Sequence, residues 1–437
     1  MATVAPFRAL RYDPARVVAG DVVTQPYDKI TPEMQERYYA ASAFNLVRII
    51  LGKAEAADGD TRNVYSRAAQ SFAEWRRAGI FLQDREPSIY AYAQRFTVPG
   101  RQEELERTGF IALGRIEEYS AGVVFRHEQT LSQPKADRLE LLRATRAHFG
   151  QIFMLYSDPK RDLDLLLSGG GHPEIEVRDE YDVLHRVSRI SDMRKIELVK
   201  AGMRNKKLII ADGHHRYETA LAYRNERREH AGERVADGGA EAAPYDFVMM
   251  TFVNMDSESL VILPTHRIVH GLPQFDAQDF LQRCNEHFEV EQVFGGLDGK
   301  RATSLLCEIG SDRTVFLAAL REGSFLLRAR PQSSDRLLER FSARQQKLDV
   351  VCLHSIVLEH VLGISEEAIR SQQNVRYLRD PDEALASIRA DAQIAFLMNP
   401  ARMEDVRDIA FAGEVLPQKS TDFYPKLLSG LTVYALE

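Results

Sequence analysis

The sequence predicts an α/β (α+β) protein in which a central core lies between flanking α/β segments. Short apolar, β-branched runs alternate along the chain with stretches whose apolar residues recur every three or four positions, the patterns of buried strands and amphipathic helices. The 437 residues suffice for two or three domains. A hydrophobic fraction of 44% with 28% charged residues is ordinary for a soluble globular protein.

The net charge and the cysteines exclude several classes of protein. The chain carries 57 Lys and Arg against 64 Asp and Glu, a formal net charge of −7, and has no basic helix-turn-helix pattern, so no nucleic-acid partner is expected. Cys284, Cys307 and Cys352 are far apart in sequence, which argues for a reducing compartment and against a zinc knuckle or disulfide framework. No apolar run approaches a membrane span, so we expect a cytoplasmic protein with no membrane partner. These features leave the oligomeric state open.

Residues 1–108 are predicted to form an N-terminal α/β segment. Its predicted elements are a strand running into a proline turn at 22–28, a helix that begins at Thr31-Pro32, a buried strand at 45–51, a helix at 64–78 and a strand at 88–96. The only tryptophan, Trp75, is expected in the core. Gln25-Pro26-Tyr27-Asp28 is the one candidate for chemistry here, and a structural turn is the favoured interpretation.

The central segment, residues 109–270, is richer in side chains that catalysis uses. Strands are predicted at 109–116, 122–130 and 151–156, and helices at 135–148 and 193–203. The strand at 122–130 ends in His127, Glu128 and Thr130, and such a cluster at a sheet edge can present a general base. The alternative is a surface ion pair between Glu128 and a helix arginine. The metal pattern His-Glu-x-x-His is excluded, because position 131 is Leu.

The most informative stretch is residues 206–224, KKLIIADGHHRYETALAYR. Its apolar run at 208–210 predicts a buried strand, and the periodicity from 215 to 228 predicts a helix directly after the turn. Amide groups at the start of a helix attract anions. Gly213 lets the backbone approach a ligand, and the planar guanidinium of Arg216 suits phosphate oxygens. The turn therefore predicts a phosphate site.

Asp212 places an acid beside this anion site. The combination makes most sense if a cation such as Mg²⁺ lies between the carboxylate and the phosphates, so Asp212 is the predicted metal ligand. The simpler interpretation is that Asp212 only caps the helix and that His214 and His215 lie on the surface. That interpretation would be preferred for a single histidine, but the five residues Asp-Gly-His-His-Arg together favour the phosphate site.

Two further polar clusters are candidates for the same site. Pro264-Thr265-His266-Arg267 closes a strand predicted at 260–263, and a satisfied structural histidine is the competing explanation. Residues 271–437 are a predicted C-terminal α/β domain, with a hairpin at 314–329 and an apolar helix at 350–362. Near its end Lys419-Ser420-Thr421 and Lys426 are candidate phosphate contacts, and the alternative is a solvated loop tied down by Phe423 and Tyr424.

This set of motifs resembles the domain-of-unknown-function family 1015 of bacteria and archaea. The resemblance rests on His127-Glu128-x-Thr130, Asp212-Gly213-His214-His215-Arg216-Tyr217, Pro264-Thr265-His266-Arg267 and Lys419-Ser420-Thr421-x-Phe423-Tyr424-Pro425-Lys426. It extends from the Pro26-Tyr27-Asp28 turn to the C-terminus. The family has no settled activity, and its members have often been labelled partition-protein-like.

A narrower resemblance covers about residues 122–228. The turn at 212–216 is similar to the phosphate-binding motif of the ParB/sulfiredoxin superfamily, and within it to that of the free-serine kinases. This resemblance implies a ParB/sulfiredoxin-like nucleotide-binding core, in which residues 213–216 hold the phosphates and Glu128 acts at the acceptor hydroxyl. Partition proteins carry Gly-Glu-Arg-Arg where this chain has Gly-His-His-Arg, a departure that favours the kinases over the DNA clamps.

The resulting prediction is a small-molecule kinase or related phosphotransferase that uses Mg²⁺ with ATP or ADP. The predicted catalytic residues are Glu128, Asp212 and His214. The predicted phosphate and nucleotide contacts are Gly213, His215, Arg216, His127, Thr130, His266, Arg267, Lys419, Ser420, Thr421 and Lys426. Two rivals stay open, namely a phosphatase or other hydrolase acting on a small phosphorylated metabolite, and a non-catalytic ParB-type regulator that binds a nucleotide.

Overall fold

The computed structural model describes residues 1–128, 133–168, 172–230, 242–310, 313–330 and 335–437. The contacts within it define two units. Unit 1 comprises Met1–Arg126, Thr130–Val261 and Pro425–Glu437, and unit 2 comprises His127–Gln129 and Ile262–Tyr424. Thr130, a predicted phosphate contact, lies outside the described residues.

The strands are numbered in chain order. They are β1 Val4–Ala5, β2 Leu10–Tyr12, β3 Phe81–Gln83, β4 Ile89–Thr97, β5 Glu104–Arg115, β6 Val124–Phe125, β7 Ala147–His148, β8 Ile152–Tyr156, β9 Ile175–Arg178, β10 Leu184–Ile190, β11 Leu208–Asp212, β12 Phe247–Asn254, β13 Val261–Leu263, β14 His266–His270, β15 Phe288–Val293, β16 Val315–Leu320, β17 Gly323–Ala329, β18 Val375–Leu378, β19 Ala392–Met398, β20 Asp422–Tyr424 and β21 Tyr434–Ala435.

The α-helices are numbered in the same way. They are α1 Ala19–Val22, α2 Pro32–Ala41, α3 Val47–Ile50, α4 Val64–Arg77, α5 Gln133–Thr145, α6 Asp162–Leu167, α7 Met193–Met203, α8 His214–His230, α9 Ala277–Cys284, α10 Gly299–Ile309, α11 Asp335–Leu338, α12 Asp349–Cys352, α13 Glu366–Arg370, α14 Pro381–Ala390 and α15 Met403–Phe411. The mixture of helices and sheets confirms the predicted α/β (α+β) class. Within the described ranges, no helix has the length and apolarity needed to cross a membrane.

Unit 1 is built on one sheet with the strand order β6-β11-β8-β12-β5-β4-β10-β9, and β1 pairs with β5. Strand β8, which has a neighbouring strand on each side, is buried along its whole length. Apolar side chains of α7 and α8 join the core of this sheet, among them Ile196, Val199, Met203, Tyr217 and Ala220. Because β8 pairs antiparallel with β11, it fixes the position of the turn that leads into α8.

The two-unit division differs from the predicted segments 1–108, 109–270 and 271–437. The boundary predicted after residue 108 falls inside β5. β5 pairs with β4 through a continuous antiparallel register from Tyr90 to Thr97. Since strands of one ladder share their backbone hydrogen bonds, the hairpin belongs to a single folding unit.

A second apolar cluster of unit 1 surrounds α3, α4 and β3, and includes Trp75 as expected. The helix predicted at 64–78 is confirmed as α4, and Asn63 caps it through bonds from the amides of Tyr65 and Ser66. The strand predicted at 45–51 is wrong, because Val47–Ile50 form α3. This short run is almost wholly buried, and for such a run periodicity does not separate a strand from a helix.

Two other strand predictions in unit 1 need correction. The region predicted as a strand at 22–28 contains the end of α1 and a 3₁₀ turn at Tyr27–Lys29. Of the strand predicted at 122–130, only β6 has formed among the described residues. β6 pairs with β11 over two residues, so a sheet partner is present for only part of the apolar run.

Unit 2 contains a six-stranded sheet in the order β15-β17-β16-β19-β14-β18. α10 and α14 contribute Ala302, Leu306, Ala384 and Ile388 to its core. The predicted hairpin at 314–329 is confirmed as β16 and β17. The apolar helix predicted at 350–362 corresponds to α12 followed by a π-helical segment, Leu353–Val361.

Candidate functional site

The predicted turn between strand and helix is present in unit 1. β11 ends in a register shift between Ile210 and Asp212, an irregularity of the kind that redirects side chains at sheet edges. Gly213 follows with φ +92°. A Cβ atom at this position would lie 3.1 Å from the guanidinium of Arg216, so both the backbone angle and the packing favour glycine. α8 begins at the next residue.

Asp212 lies between two cationic side chains. Its Oδ2 accepts a hydrogen bond from Nη2 of Arg216 at 2.6 Å. Its Oδ1 accepts one from Nζ of Lys426 at 3.0 Å. The three side chains are only 10% to 18% exposed. The structure thus brings together three of the predicted site residues, one of them more than two hundred positions away in sequence.

The charges around Asp212 are predominantly positive. Burial alone would raise the pKa of the Asp212 carboxyl. The charges of Lys426, Arg216 and Lys29 outweigh that effect and hold this pKa well below its usual range. Sequence analysis missed Lys29, although it follows directly after the Pro26-Tyr27-Asp28 turn that the family resemblance includes.

Arg216 is fixed on two sides. Besides the bond to Asp212, its Nη1 donates to the backbone oxygen of Gln151, a residue that sequence analysis did not select. A guanidinium has five N–H groups. These two bonds leave 5 − 2 = 3 of them without a hydrogen bond to a described residue. The side chain is therefore held in place and keeps donors for a ligand.

A small cavity of about 70 Å³ adjoins Arg216 within unit 1. Its lining includes Tyr27, Arg138, Leu142 and Phe149. Thr219, one turn after the start of α8, also lines it, and this side chain is only 5% exposed. Its Oγ1 makes no hydrogen bond to the residues that the structure describes. A buried hydroxyl in this condition favours a polar ligand or water in the cavity.

His214 and His215 lie in the first turn of α8, and both are partly buried. They are the positions at which the free amides of a helix start are found. The simpler interpretation, in which Asp212 only caps the helix and the histidines lie on the surface, does not describe this turn fully. The histidines are partly buried, and Asp212 pairs with the cationic side chains of Arg216 and Lys426.

In unit 2 the predicted residues His127 and Glu128 pair with the segment around 416–421. Nε2 of His127 lies 2.7 Å from Oγ1 of Thr421. Oε1 of Glu128 accepts the backbone N–H of Lys419 at 2.7 Å. The ring of His127 also packs edge-on against Phe423. Two motifs that lie almost three hundred residues apart thus form one cluster, in which Ser420 donates its hydroxyl to the backbone oxygen of Pro417 at 2.6 Å.

His266 and Arg267 lie at the start of β14, not at the end of the preceding strand as predicted. Both are 2% exposed. Nδ1 of His266 accepts the backbone N–H of Met398 at 3.2 Å, and burial lowers the pKa of this histidine to about 4. A histidine kept neutral in this way is poorly suited to act as an acid. Its buried Nε2 makes no hydrogen bond to a described residue, so a contact with phosphate stays a prediction.

The predicted magnesium ligand does not fit the observed geometry. Each oxygen of Asp212 already accepts a bond from a cation, so little negative charge remains to attract Mg²⁺. The described part of the chain also contains no group of three or more His, Cys, Asp or Glu side chains that could hold a metal ion.

A family model described as a protein of unknown function, DUF1015, matches residues 4–351. The chain belongs to this family. No curated protein matches the chain.

Several solved structures are similar to it. A mutant of free serine kinase in complex with ADP has a TM-score of 0.34 and 11% identity, with 71% of this chain and 89% of that chain covered. SbnI from Staphylococcus aureus has a TM-score of 0.34 and 9% identity, with coverage of 73% and 85%. A conserved hypothetical protein from Pyrococcus furiosus has a TM-score of 0.32 and 12% identity, with coverage of 69% and 87%. At these low TM-scores the similarity supports no conclusion about function.

Proposed function

We propose that the protein binds the phosphate groups of a nucleotide at the start of α8 and transfers a phosphoryl group to a small hydroxylated metabolite. The observation that carries the proposal is the cluster around Asp212, where one carboxylate meets the charges of Lys426, Arg216 and Lys29. Arg216 and Lys426 donate to the oxygens of this carboxylate, and the positive charge of Lys29 also acts on it. The amides at the start of α8 add to this potential. A nucleotide polyphosphate supplies the opposite charge.

Phosphoryl transfer asks a protein mainly for positioning and for stabilisation of charge. Arg216 meets the first demand, because Asp212 and Gln151 hold its guanidinium while other N–H groups stay available. Lys426 is held by the same carboxylate. In this proposal Asp212 is a positioning residue that orients the two cations and does not itself touch the phosphates. Any magnesium ion would be held by the nucleotide, and no step depends on a metal bound by Asp212.

The acceptor side of the proposal rests on the resemblance to the free-serine kinases, which assigns Glu128 to the acceptor hydroxyl. Within unit 2 the bond from the Lys419 N–H fixes the orientation of this carboxylate. An ionised, oriented carboxylate is suited to accept a hydroxyl proton.

The binding step is tested with Arg216→Ala. Loss of its charge-assisted contacts to phosphate should weaken nucleotide binding by about 1.5–3 kcal/mol, or roughly 10- to 150-fold. Isothermal titration calorimetry with ATP, ADP and CTP, with and without Mg²⁺, measures the change. Arg227→Ala is the matched control, since Arg227 is an exposed arginine on the same helix.

The proposal predicts that Arg227→Ala binds as the wild type does. Nucleotide affinity that stays unchanged in a folded Arg216→Ala variant would contradict the assignment of the site. The rivals are separated by activity. Wild-type protein that cleaves phosphomonoesters without nucleotide supports the phosphatase, and nucleotide binding without any turnover supports the regulator.

A further inference from the structure

Unit 2 contains a cleft of about 590 Å³ that the proposed function leaves unused. Its lining includes Arg267, Arg313, Thr314, Lys347, Asp349 and Arg402. Small-molecule sites in proteins have volumes of roughly 300–1,000 Å³, so this cleft has the size of a metabolite site.

Arg267, at the wall of the cleft, is a buried cation without a counter-ion among the described residues. It is 2% exposed, and it makes no ion pair with any residue that the structure describes. Its guanidinium donates to the backbone oxygens of Thr265 and Lys419, and to Nε2 of His354 at 3.3 Å and Sδ of Met398 at 3.5 Å. These neutral acceptors satisfy N–H groups but do not neutralise the charge. A buried charge in this condition is costly unless a counter-charge is supplied.

Burial lowers the pKa of Arg267 to about 10, while the charges of Tyr377 and Glu128 act in the opposite direction. Arg267 therefore stays positively charged at neutral pH. A counter-charge to the buried Arg267 guanidinium would therefore be stabilising at neutral pH.

The other charges of the cleft add to the positive potential. Arg402 is paired with Asp405 at 2.7 Å, and this pair is neutral as a whole. Arg313 and Lys347 are exposed at the cleft, and neither forms an ion pair within the described residues. Among the described residues, three cations thus face the cleft in excess of the paired charges, namely Arg267, Arg313 and Lys347.

The carboxylate of Asp349 does not fully neutralise the positive charges that face the cleft. Burial raises the pKa of its carboxyl to about 7, although the Thr314 hydroxyl, the Val315 amide and Arg402 favour the ionised form. The negative charge of Asp405, like burial, raises the pKa of the Asp349 carboxyl. The neighbouring thiol of Cys352 has a pKa raised by burial to about 11 and stays neutral. At neutral pH the Asp349 carboxyl is therefore only partly ionised.

We propose that this cleft binds a small metabolite through a carboxylate or phosphate group, with Arg267 as the buried anchor and with Arg313 and Lys347 as attracting charges at the surface. Planar guanidinium groups bind both kinds of oxyanion. All of the residues involved belong to unit 2, so the inference stands independently of the nucleotide site proposed in unit 1.

A pH dependence follows from the position of Asp349. As the pH rises through about 7, this carboxyl ionises and adds negative charge to the cleft. Sulfate keeps a constant charge over this range, so its affinity should fall as the pH rises. Asp349→Asn removes the ionising group, and this variant should bind sulfate with an affinity that no longer depends on pH in this window.

The test uses the full chain carrying Arg216→Ala, which removes the main phosphate contact proposed for unit 1. Calorimetric titrations with sulfate, inorganic phosphate and succinate are compared at about pH 6 and about pH 8, on either side of the Asp349 transition. Arg267→Gln should weaken binding roughly 10- to 150-fold. Arg313→Ala and Lys347→Ala, which change exposed residues, should each weaken it about 1.4- to 5-fold. Arg389→Ala is the control, an exposed arginine on α14 outside the cleft.

Binding of succinate alone identifies a carboxylate ligand, and binding of phosphate alone identifies a phosphate ligand. Either result supports the proposal if Arg313→Ala and Lys347→Ala weaken it and Arg389→Ala does not. The proposal is overturned if none of the three anions binds at millimolar concentration, or if the surface variants bind as the parent does. Every sample already lacks the Arg216 side chain, so a failure of these anions to bind does not bear on the nucleotide proposal. A failure of the Arg216 experiment likewise does not bear on the cleft.

Discussion

The cation cluster of unit 1 and the cleft of unit 2 use buried arginine in opposite ways. In unit 1 Arg216 pairs with Asp212, and Lys426 shares the same carboxylate. In unit 2 Arg267 is more deeply buried, and the contacts that the structure describes for it are to neutral atoms. A paired charge maintains a geometry without a ligand. A buried charge that lacks a counter-ion is instead stabilised by the ligand that supplies one.

The difference indicates what a ligand does in each region. At the start of α8 the donors are already oriented, so a ligand gains affinity from an existing arrangement. In the cleft the ligand also removes an energetic cost from the folded state, and it should stabilise unit 2 in proportion to its affinity and concentration. The following predictions test this contrast, beginning with the largest effect.

Glu128→Gln separates binding from turnover. The variant keeps the shape of the side chain and removes its charge. We expect nucleotide affinity close to that of the wild type and phosphoryl transfer slower by about 10²–10⁴-fold, the usual contribution of a general base. Calorimetry and a single-turnover transfer assay measure the two quantities. Equal loss of nucleotide affinity and of transfer rate would instead assign Glu128 to ligand binding.

Asp212→Ala tests whether the carboxylate holds the cluster of unit 1 together. Its removal leaves Arg216 and Lys426 buried beside each other, and loss of one member of a buried ion pair costs about 3–5 kcal/mol. Trp75, the only tryptophan, lies in the core of unit 1, so its fluorescence during urea unfolding reports this unit. Glu86→Ala, at an exposed acidic residue of the same unit, should change stability by less than about 0.5 kcal/mol.

The pH dependence of that loss has a defined sign. The folded pKa of Asp212 lies below its unfolded value, so its stabilising effect is complete above the unfolded pKa, about 3.9, and is lost as the pH falls through the folded pKa. The gap between wild type and Asp212→Ala should therefore shrink only in strongly acidic solution. Adding Lys426→Met should restore part of the lost stability, and a double variant no more stable than Asp212→Ala would contradict the electrostatic explanation.

Asp349→Asn tests the cleft of unit 2 through stability, and its effect develops gradually with pH. The folded pKa of Asp349 is raised to about 7, so its contribution to stability is complete below the unfolded pKa and is lost as the pH rises through about 7. Within this window the unfolding free energy of the wild type should fall relative to the variant by at most about 1.4 kcal/mol per pH unit. Circular dichroism during urea unfolding in anion-poor buffer measures the difference. Parallel stability profiles of the two proteins would mean that Asp349 titrates normally.

Local structure with strong periodicity was predictable. The helix predicted at 193–203 has the observed bounds of α7, and the strand, turn and helix around Gly213 occur as predicted. Predictions failed where a short apolar run had no distinguishing period, as at α3, and where only part of a run found a sheet partner, as at β6. The residues of the site were predictable only in part, since Gln151 carries no local signal and Lys29 is marked only by its place after the Pro26-Tyr27-Asp28 turn.

The sequence by itself determined the class of the fold, the family and the turn at residues 212–216, because glycine at a positive φ and an apolar run before an amphipathic helix depend on neighbouring residues alone. The tertiary structure decided what Asp212 does. A carboxylate beside a helix start can bind a metal, cap the helix or pair with a cation, and the choice depends on which charges the fold brings within a few ångströms. Here Lys426 arrives from the far end of the chain and Arg216 from the next helical turn, so Asp212 is a partner of cations. The same dependence on distant packing left Arg267 buried among neutral atoms.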